Sequence, residues 1–343
     1  MTSSSITPYG MEFPRISLTS GYSDALVLAP FGLVALSFLV TYLTMPWFIE
    51  ALRRAGITGR DLHKPRMPSI PTMGGVGIYA GFAVAMTIAP TLQLDYRLLF
   101  AIFLSGTLAV LVGILDDLFS LGKLALVALT FAISLPVVSF QAGSTYVYLT
   151  PFGPADFEWF FWALVPFAFA FLMNGVNIYA GFNGLEAGLG IISSISLGIC
   201  ALIYGSMESA VALLAIAGGL LAFLKWNWFP AKVFVGGSGT FLLGAVLASA
   251  MIAGSIKVVG VIALFPYFIN FVLRATDRFH WSVGKTLPNG KIISRKRNAL
   301  WALFMFRRGR TERYVVLRCL AVQVGFAVAA IVFAYFHVNF IRT

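Results

Sequence analysis

Met173-Asn-Gly-Val-Asn-Ile-Tyr-Ala-Gly-Phe-Asn-Gly-Leu-Glu-Ala-Gly-Leu189 is a polar island between two apolar runs, and its setting decides the fold. The flanking runs, Trp159 to Met173 and Leu189 to Tyr204, have the composition of helices crossing a hydrocarbon core, which takes about 20 apolar residues. Where a spanning helix carries Leu or Val, the island has three carboxamides, Asn174, Asn177 and Asn183, and the carboxylate of Glu186. Polar groups beside hydrocarbon are costly, so an island of this kind points to function; a polar helix-end loop with packing glycines is the plainer alternative. Asn174 and Asn177 are three apart and share a face if helical, each offering a carbonyl oxygen to a metal and an NH₂ as donor. The glycines among them let the backbone turn tightly and approach a ligand closely.

Outward from the island the pattern repeats. Of the 343 residues 59% are hydrophobic and only 11% charged, and ten apolar runs can be marked off. They are Leu26 to Trp47, Gly75 to Pro90, Leu98 to Leu115, Leu124 to Phe140, Trp159 to Met173, Leu189 to Tyr204, Ala210 to Leu224, Thr240 to Ala253, Val258 to Leu273 and Tyr314 to Phe336. This predicts an all-α polytopic membrane protein of about ten transmembrane helices, with residues 1–343 forming a single membrane domain. The formal charge of +11 is uneven. Loops after odd-numbered runs carry Arg53, Arg54, Arg60, Lys64 and Arg66, then Lys123, then Lys225 and Lys232, and last a basic loop over 274–313. Even loops carry Arg97 and Lys257 beside Asp95, Asp156, Glu158 and Glu208. The positive-inside rule therefore puts the odd loops in the cytoplasm and both termini on the external side. The basic surface reads as a face for membrane lipid headgroups and phosphate-bearing substrates, not nucleic acid. Cys200 and Cys319 lie inside apolar runs without disulfide or metal spacing, and Met1 to Ser23 lacks the pattern of a cleaved signal peptide.

Further polar motifs sit in the odd loops. Gly59-Arg-Asp-Leu-His-Lys-Pro65 and Pro71-Thr-Met-Gly-Gly75 predict an ordered loop containing Asp61, His63 and Lys64. His63 has no second histidine at ligand spacing, and Lys64 either neutralises a phosphate or marks the cytoplasmic face. Run three ends in Asp116-Asp117, adjacent carboxylates that point about 100° apart in a helix and so can divide their work. One suits a Mg²⁺ ion or cationic side chain and the other a substrate oxygen; an acidic helix cap is the alternative. Gly236-Gly-Ser-Gly-Thr240 leads into run eight and predicts backbone N–H groups for an anion at a helix N-terminus. In the last loop, Ala299 to Phe306 is an apolar patch expected to lie along the membrane interface.

Together these motifs resemble the polyprenyl-phosphate N-acetylhexosamine-1-phosphate transferases, the membrane superfamily that includes the bacterial translocases MraY and WecA. The wording Asn177-Ile-Tyr-Ala-Gly-Phe-Asn-Gly-Leu-Glu-Ala-Gly188 is similar to the eukaryotic and archaeal branch, which makes GlcNAc-diphospho-dolichol. The resemblance implies a Mg²⁺-dependent enzyme, with Mn²⁺ as a substitute, that joins a UDP-N-acetylhexosamine to a polyprenyl or dolichyl phosphate. It implies catalytic roles for Asp116, Asp117 and Lys123, and Asn177 with Asp117 as metal ligands. Substrate contacts fall to Asp61, Lys64, Asn174, Asn183, Glu186, Gly236, Ser238, Arg278 and His280, with Asn183 near the uracil. It further implies a plasma-membrane enzyme of an archaeon or bacterium, with a homodimer as its expected assembly and a cytoplasmic active site. Two departures stand out. Gly237 occupies the place of an Asp that ligates Mg²⁺ in relatives, and Leu126 that of a lysine, with Lys123 three positions earlier. A homologue that binds nucleotide or lipid without turnover therefore stays open, as does a multi-span transporter. The latter would place its polar breaks in mid-membrane and in paired halves.

Overall fold

Hydrocarbon offers no partner to a peptide group, so each apolar run closes its hydrogen bonds internally as a helix. The computed structural model describes residues 24–64, 66–149, 153–279 and 284–342; His280 and the Met1 to Ser23 segment lie outside the described residues. In chain order the elements are α1 (Asp24–Arg54), β1 (Thr58–Arg60), β2 (Ser69–Pro71), α2 (Gly75–Ile88) with a 3₁₀ turn (Ala89–Leu92), α3 (Tyr96–Phe119), α4 (Lys123–Ile133) and α5 (Leu135–Ser139). There follow β3 (Tyr146–Leu149), β4 (Gly153–Asp156), α6 (Glu158–Ile178), α7 (Leu185–Tyr204), α8 (Met207–Asn227) and α9 (Gly236–Ala253). The chain continues through α10 (Lys257–Ala263), α11 (Phe265–Thr276), β5 (Lys285–Thr286), β6 (Ile292–Ile293) and α12 (Leu300–Leu303) to α13 (Glu312–Arg342).

All ten apolar runs are helical, but they are not ten alike. Among the described residues eight helices are long and apolar enough to cross a membrane: α1, α2 with its 3₁₀ turn, α3, α6, α7, α8, α9 and α13. Run nine is the pair α10 and α11, bent by 60°, and run four is the shorter helical stretch Lys123–Ser139. Pro266 and Pro136 each stand in the first turn after the break, where a missing N–H is tolerated as it would not be in a helix interior.

The centre of the bundle is α9, with 89% of its spanning window buried, whereas outer helices α1 and α13 are 28% and 33% buried. Exposed Trp47, Val324, Val328 and Phe336 give those two the apolar faces that lipid requires. Close approach to α9 depends on glycine. A Cβ at Gly113 of α3 would stand 2.4 Å from Cα of Ser238, and one at Gly75 of α2 would stand 2.0 Å from the Gly239 nitrogen. Any larger residue at either place would push its helix away from the start of α9.

Short hairpins occupy both ends. β1 and β2 pair antiparallel from Thr58↔Pro71 to Arg60↔Ser69 and frame the loop containing Asp61. At the other end β3 pairs with β4, and the Lys257 ammonium donates to the Ser144 and Tyr146 carbonyls. The basic 274–313 loop is folded where it is described: β5 pairs with β6, and bridges join Ile292 to Arg310 and Ser294 to Phe306. The patch expected along the membrane interface turns inward instead. Ala299, Trp301, Ala302 and Met305 are buried, and the Trp301 ring packs 5.1 Å from that of Phe182 in the asparagine island. Burial of one indole outweighs what an interfacial position offers it, and the patch becomes the core of its own loop.

Candidate active site

Three loops meet at the start of α9. The Phe234 N–H donates to the Pro71 carbonyl at 2.8 Å, while Gly74 and Gly75 donate to the carbonyls of Phe234 and Val235 at 2.9 Å each. This ladder fixes the starts of α2 and α9 side by side. Gly236 then turns the chain with φ +74°, a conformation in which a side chain is strained.

The acid pair closes on this point from α3. Asp117 Oδ1 accepts the Gly237 N–H at 2.8 Å and Oδ2 accepts the Ser238 N–H at 3.1 Å, so the anion bound at this helix N-terminus is the chain's own carboxylate. Asp116 Oδ1 accepts the Leu121 N–H at 3.0 Å, closing the end of α3. The remaining oxygens still converge. A Cβ placed on Gly237 would stand 3.3 Å from Asp117 Oδ1, 3.4 Å from Asp116 Oδ2 and 3.3 Å from the Gly113 carbonyl oxygen.

The island forms the opposite wall. Helix α6 runs through Asn174 and Asn177, and α7 starts at Leu185. Asn177 Oδ1 accepts the Thr240 hydroxyl at 3.0 Å, which orients its amide from the first turn of α9. Asn174 faces elsewhere, its NH₂ donating to the Ala170 carbonyl at 2.8 Å and the Thr130 hydroxyl at 3.4 Å. Glu186 Oε1 accepts the Gly181 N–H at 2.8 Å and pins the turn. Asn227, at the end of α8, accepts the Gly184 N–H at 3.2 Å and donates to the Val233 carbonyl at 2.9 Å, tying the island to the strand-like approach to α9.

A third group is almost wholly buried. Asn183 donates its NH₂ to Asp61 Oδ2 at 3.1 Å and its backbone N–H to Glu312 Oε1 at 2.8 Å. The Lys64 ammonium pairs with Asp61 at 3.3 Å and directly with Glu312, and it lies 4.2 Å from the Phe229 ring centre. His63 stacks on Phe182 at 4.3 Å between ring centres.

These walls enclose a cleft of about 240 Å³. Of the residues singled out in the sequence, Asp61, Asn177, Asn183, Glu186 and Gly236 line it, and Asp116, Asp117 and Ser238 bound its α9 edge. Lys64 is spent on two carboxylates rather than aimed into the cleft. Lys123, exposed at the start of α4, Arg278, exposed after α11, and Asn174 line no part of it. Sequence reasoning missed Arg60, Asn227 and Glu312, and it gave Thr240 only as the end of the glycine motif. Arg60 reads as one more positive-inside arginine, and Glu312 as an ordinary acid at a helix start; only the tertiary fold brings either to the site.

Among the described residues no group of three or more His, Cys, Asp or Glu side chains is placed to hold a metal. The donors beside Gly237 are nonetheless all oxygen, with two carboxylates and a carbonyl, and Asn177 adds an amide oxygen across the cleft. That set fits Mg²⁺, which uses one or two carboxylates and leaves its other positions to water and substrate phosphate.

Known proteins match this chain over nearly its whole length. It is 30% identical over 305 residues to a protein of Saccharolobus solfataricus provisionally named UDP-N-acetylglucosamine–dolichyl-phosphate N-acetylglucosaminephosphotransferase, covering 87% of this chain and 95% of that one. A protein of Sulfolobus acidocaldarius with the same provisional name is 30% identical over 314 residues, covering 88% and 94%. The phospho-N-acetylmuramoyl-pentapeptide-transferase of Desulforamulus reducens is 31% identical over 303 residues, covering 76% and 90%. The profile of glycosyl transferase family 4 matches residues 99–255, from the α3 helix that bears the acid pair to just beyond α9. With near full-length relatives on both the archaeal and bacterial sides, the chain is a multi-pass membrane protein that belongs to glycosyl transferase family 4.

Proposed function

We propose that this protein transfers N-acetylglucosamine-1-phosphate from UDP-N-acetylglucosamine to a polyprenyl or dolichyl phosphate. The products are a lipid diphospho-sugar and UMP. The observation that carries the reading is the meeting of Asp116, Asp117 and Asn177 around the first turn of α9, at one cleft on one end of a membrane bundle. The names of the archaeal relatives supply the donor and acceptor classes. An oxygen of the lipid phosphate attacks the β-phosphorus of the nucleotide sugar, the bond to the bridging oxygen breaks, and its electron pair leaves with UMP. Two anions must meet, so positioning and charge neutralisation dominate.

Asp116, Asp117 and Asn177 are the residues that would hold Mg²⁺, which when bound neutralises phosphate charge. Thr240 keeps the Asn177 oxygen aimed across the cleft. Arg60 lines the cleft and is exposed, unlike Lys64, so it is the cation positioned to meet a diphosphate. Asn183 has committed its NH₂ to Asp61, which leaves its carbonyl for the N3–H of uracil. The cleft lies with Arg53, Arg54 and the basic 274–313 loop, so the positive-inside rule supports a cytoplasmic site.

Radiolabelled UDP-N-acetylglucosamine and dolichyl phosphate, incubated with the purified protein, are expected to give a lipid-extractable labelled product that disappears with EDTA and returns with Mg²⁺. No product in any lipid or with any divalent ion would overturn the reading. Gly237 favours a second reading, binding without turnover, for which the outcome is retained nucleotide-sugar affinity and no product.

A further inference from the structure

The basic loop holds a second cavity that shares no lining residue with the cleft. It has a volume of about 460 Å³ and is lined by Arg297, Arg308 and Arg310 together with Leu303, Phe306 and Tyr314. Arg297 and Arg308 are exposed and Arg310 is half-buried, and two of the three stack on rings. The Arg310 backbone is bridged to Ile292, its guanidinium lies 4.8 Å from the Tyr314 ring centre, and Arg297 lies 4.4 Å from that of Phe306. Stacking on a ring covers the flat face of a guanidinium and leaves its N–H edge to donate.

Among the described residues no ion pair joins a carboxylate to Arg297, Arg308 or Arg310. The acids nearest in the chain are engaged elsewhere, Asp277 by Lys296 and Asn298 and Glu312 by Lys64 and Asn183. Arg310 Nε is shut off from water and has no acceptor, which is costly for a charged donor. Three guanidinium groups around one cavity suit an anion with several acceptor oxygens, and the match of an arginine fork to phosphate is geometric as well as electrostatic. Leu303, 40% exposed at the rim, adds an apolar lip where an acyl chain or glycerol backbone can lie.

We propose that this pocket is a phosphate-binding site separate from the transfer cleft, with the headgroup phosphate of an anionic lipid or a free phosphate or diphosphate as its ligand. Tyr314 is two residues beyond Glu312, so an occupied pocket braces the start of the same helix that anchors the asparagine island. The site stands whether or not the transfer reaction does, because its test reads binding alone.

The full-length protein in neutral detergent would be titrated with dioctanoyl phosphatidic acid, dioctanoyl phosphatidylcholine, inorganic phosphate and pyrophosphate, with binding followed by native mass spectrometry and thermal shift. Phosphatidic acid should bind and phosphatidylcholine should not. Arg308→Gln, at an exposed side chain without ring stacking, should weaken binding about tenfold, and Arg310→Gln by more, as expected for loss of charge-assisted hydrogen bonds. Arg53→Gln, in the exposed Glu50 pair on α1, should change nothing. Competition by inorganic phosphate or pyrophosphate at similar concentrations would identify a soluble ligand, and its absence a lipid headgroup. The proposal fails if phosphatidic acid and the soluble anions do not bind, or if Arg308→Gln and Arg53→Gln behave alike in proteins of wild-type melting temperature.

Discussion

At the scale of single residues, Gly237 carries the sharpest question. Its missing side chain faces Asp116 and Asp117, so a carboxylate added there would enter between two others. Like charges at that separation repel unless a cation joins them. Gly237→Asp should therefore melt below wild type in EDTA and gain more from added Mg²⁺, a difference that thermal shift reads without any turnover. In the transfer assay the same variant should raise kcat, by something near 10²-fold if the carboxylate is the missing electrostatic contributor. Unchanged melting in both conditions would show that the added group points away from the pair. Arg60 makes a separate case, since it is the cleft's exposed cation. Arg60→Gln should weaken UDP-sugar binding by about 1.5–3 kcal/mol with little effect on melting, as loss of one charged hydrogen bond predicts; calorimetric titration of the nucleotide sugar would measure it.

At the scale of elements, α9 depends on α3 for its first turn. The N–H groups of Gly237 and Ser238 lie at a helix start, where no carbonyl of the same helix can reach them. Asp117 serves both. Asp117→Ala should cost roughly 2–4 kcal/mol in unfolding free energy by leaving two donors without their charged acceptor, and Asp117→Asn about half of that. Asp116→Asn should cost less, because its bond to Leu121 lies at a half-exposed helix end. Equal stability losses at the two aspartates, followed by denaturation in detergent, would contradict this division of work.

At the scale of the whole molecule, Glu312 ties the last helix to the middle of the chain. Its carboxylate joins α13, the Asn183 backbone and Lys64 of the loop after α1, with only 4% of the side chain exposed. Glu312→Ala leaves the Asn183 N–H without its charged acceptor and Lys64 with Asp61 alone, and should cost on the order of 2–4 kcal/mol. Glu312→Gln keeps an acceptor for the Asn183 N–H, and a double-mutant cycle of Glu312→Gln with Lys64→Met in melting free energy measures the coupling of the pair, which should be favourable by more than about 0.5 kcal/mol. Additive losses would mean that the two side chains do not act as a pair.

The sequence by itself determined the membrane class and the helical positions of all ten apolar runs. Both follow from local composition, because the thickness of hydrocarbon sets the length of the runs. It also singled out the acid pair, Asn177, Asn183 and Gly236, because polar or glycine-rich breaks beside apolar runs are conspicuous in one dimension. Only the tertiary structure decided that runs four and nine are broken, that Lys64 serves Glu312, and that Asp117 rather than a ligand occupies the start of α9. It alone turned Ala299 to Phe306 inward and gathered Arg297, Arg308 and Arg310 around one cavity. Pairings across 248 residues, such as Lys64 with Glu312, leave no local trace. Periodicity reports which face of an element is buried, and which charge meets which is settled only when the helices pack.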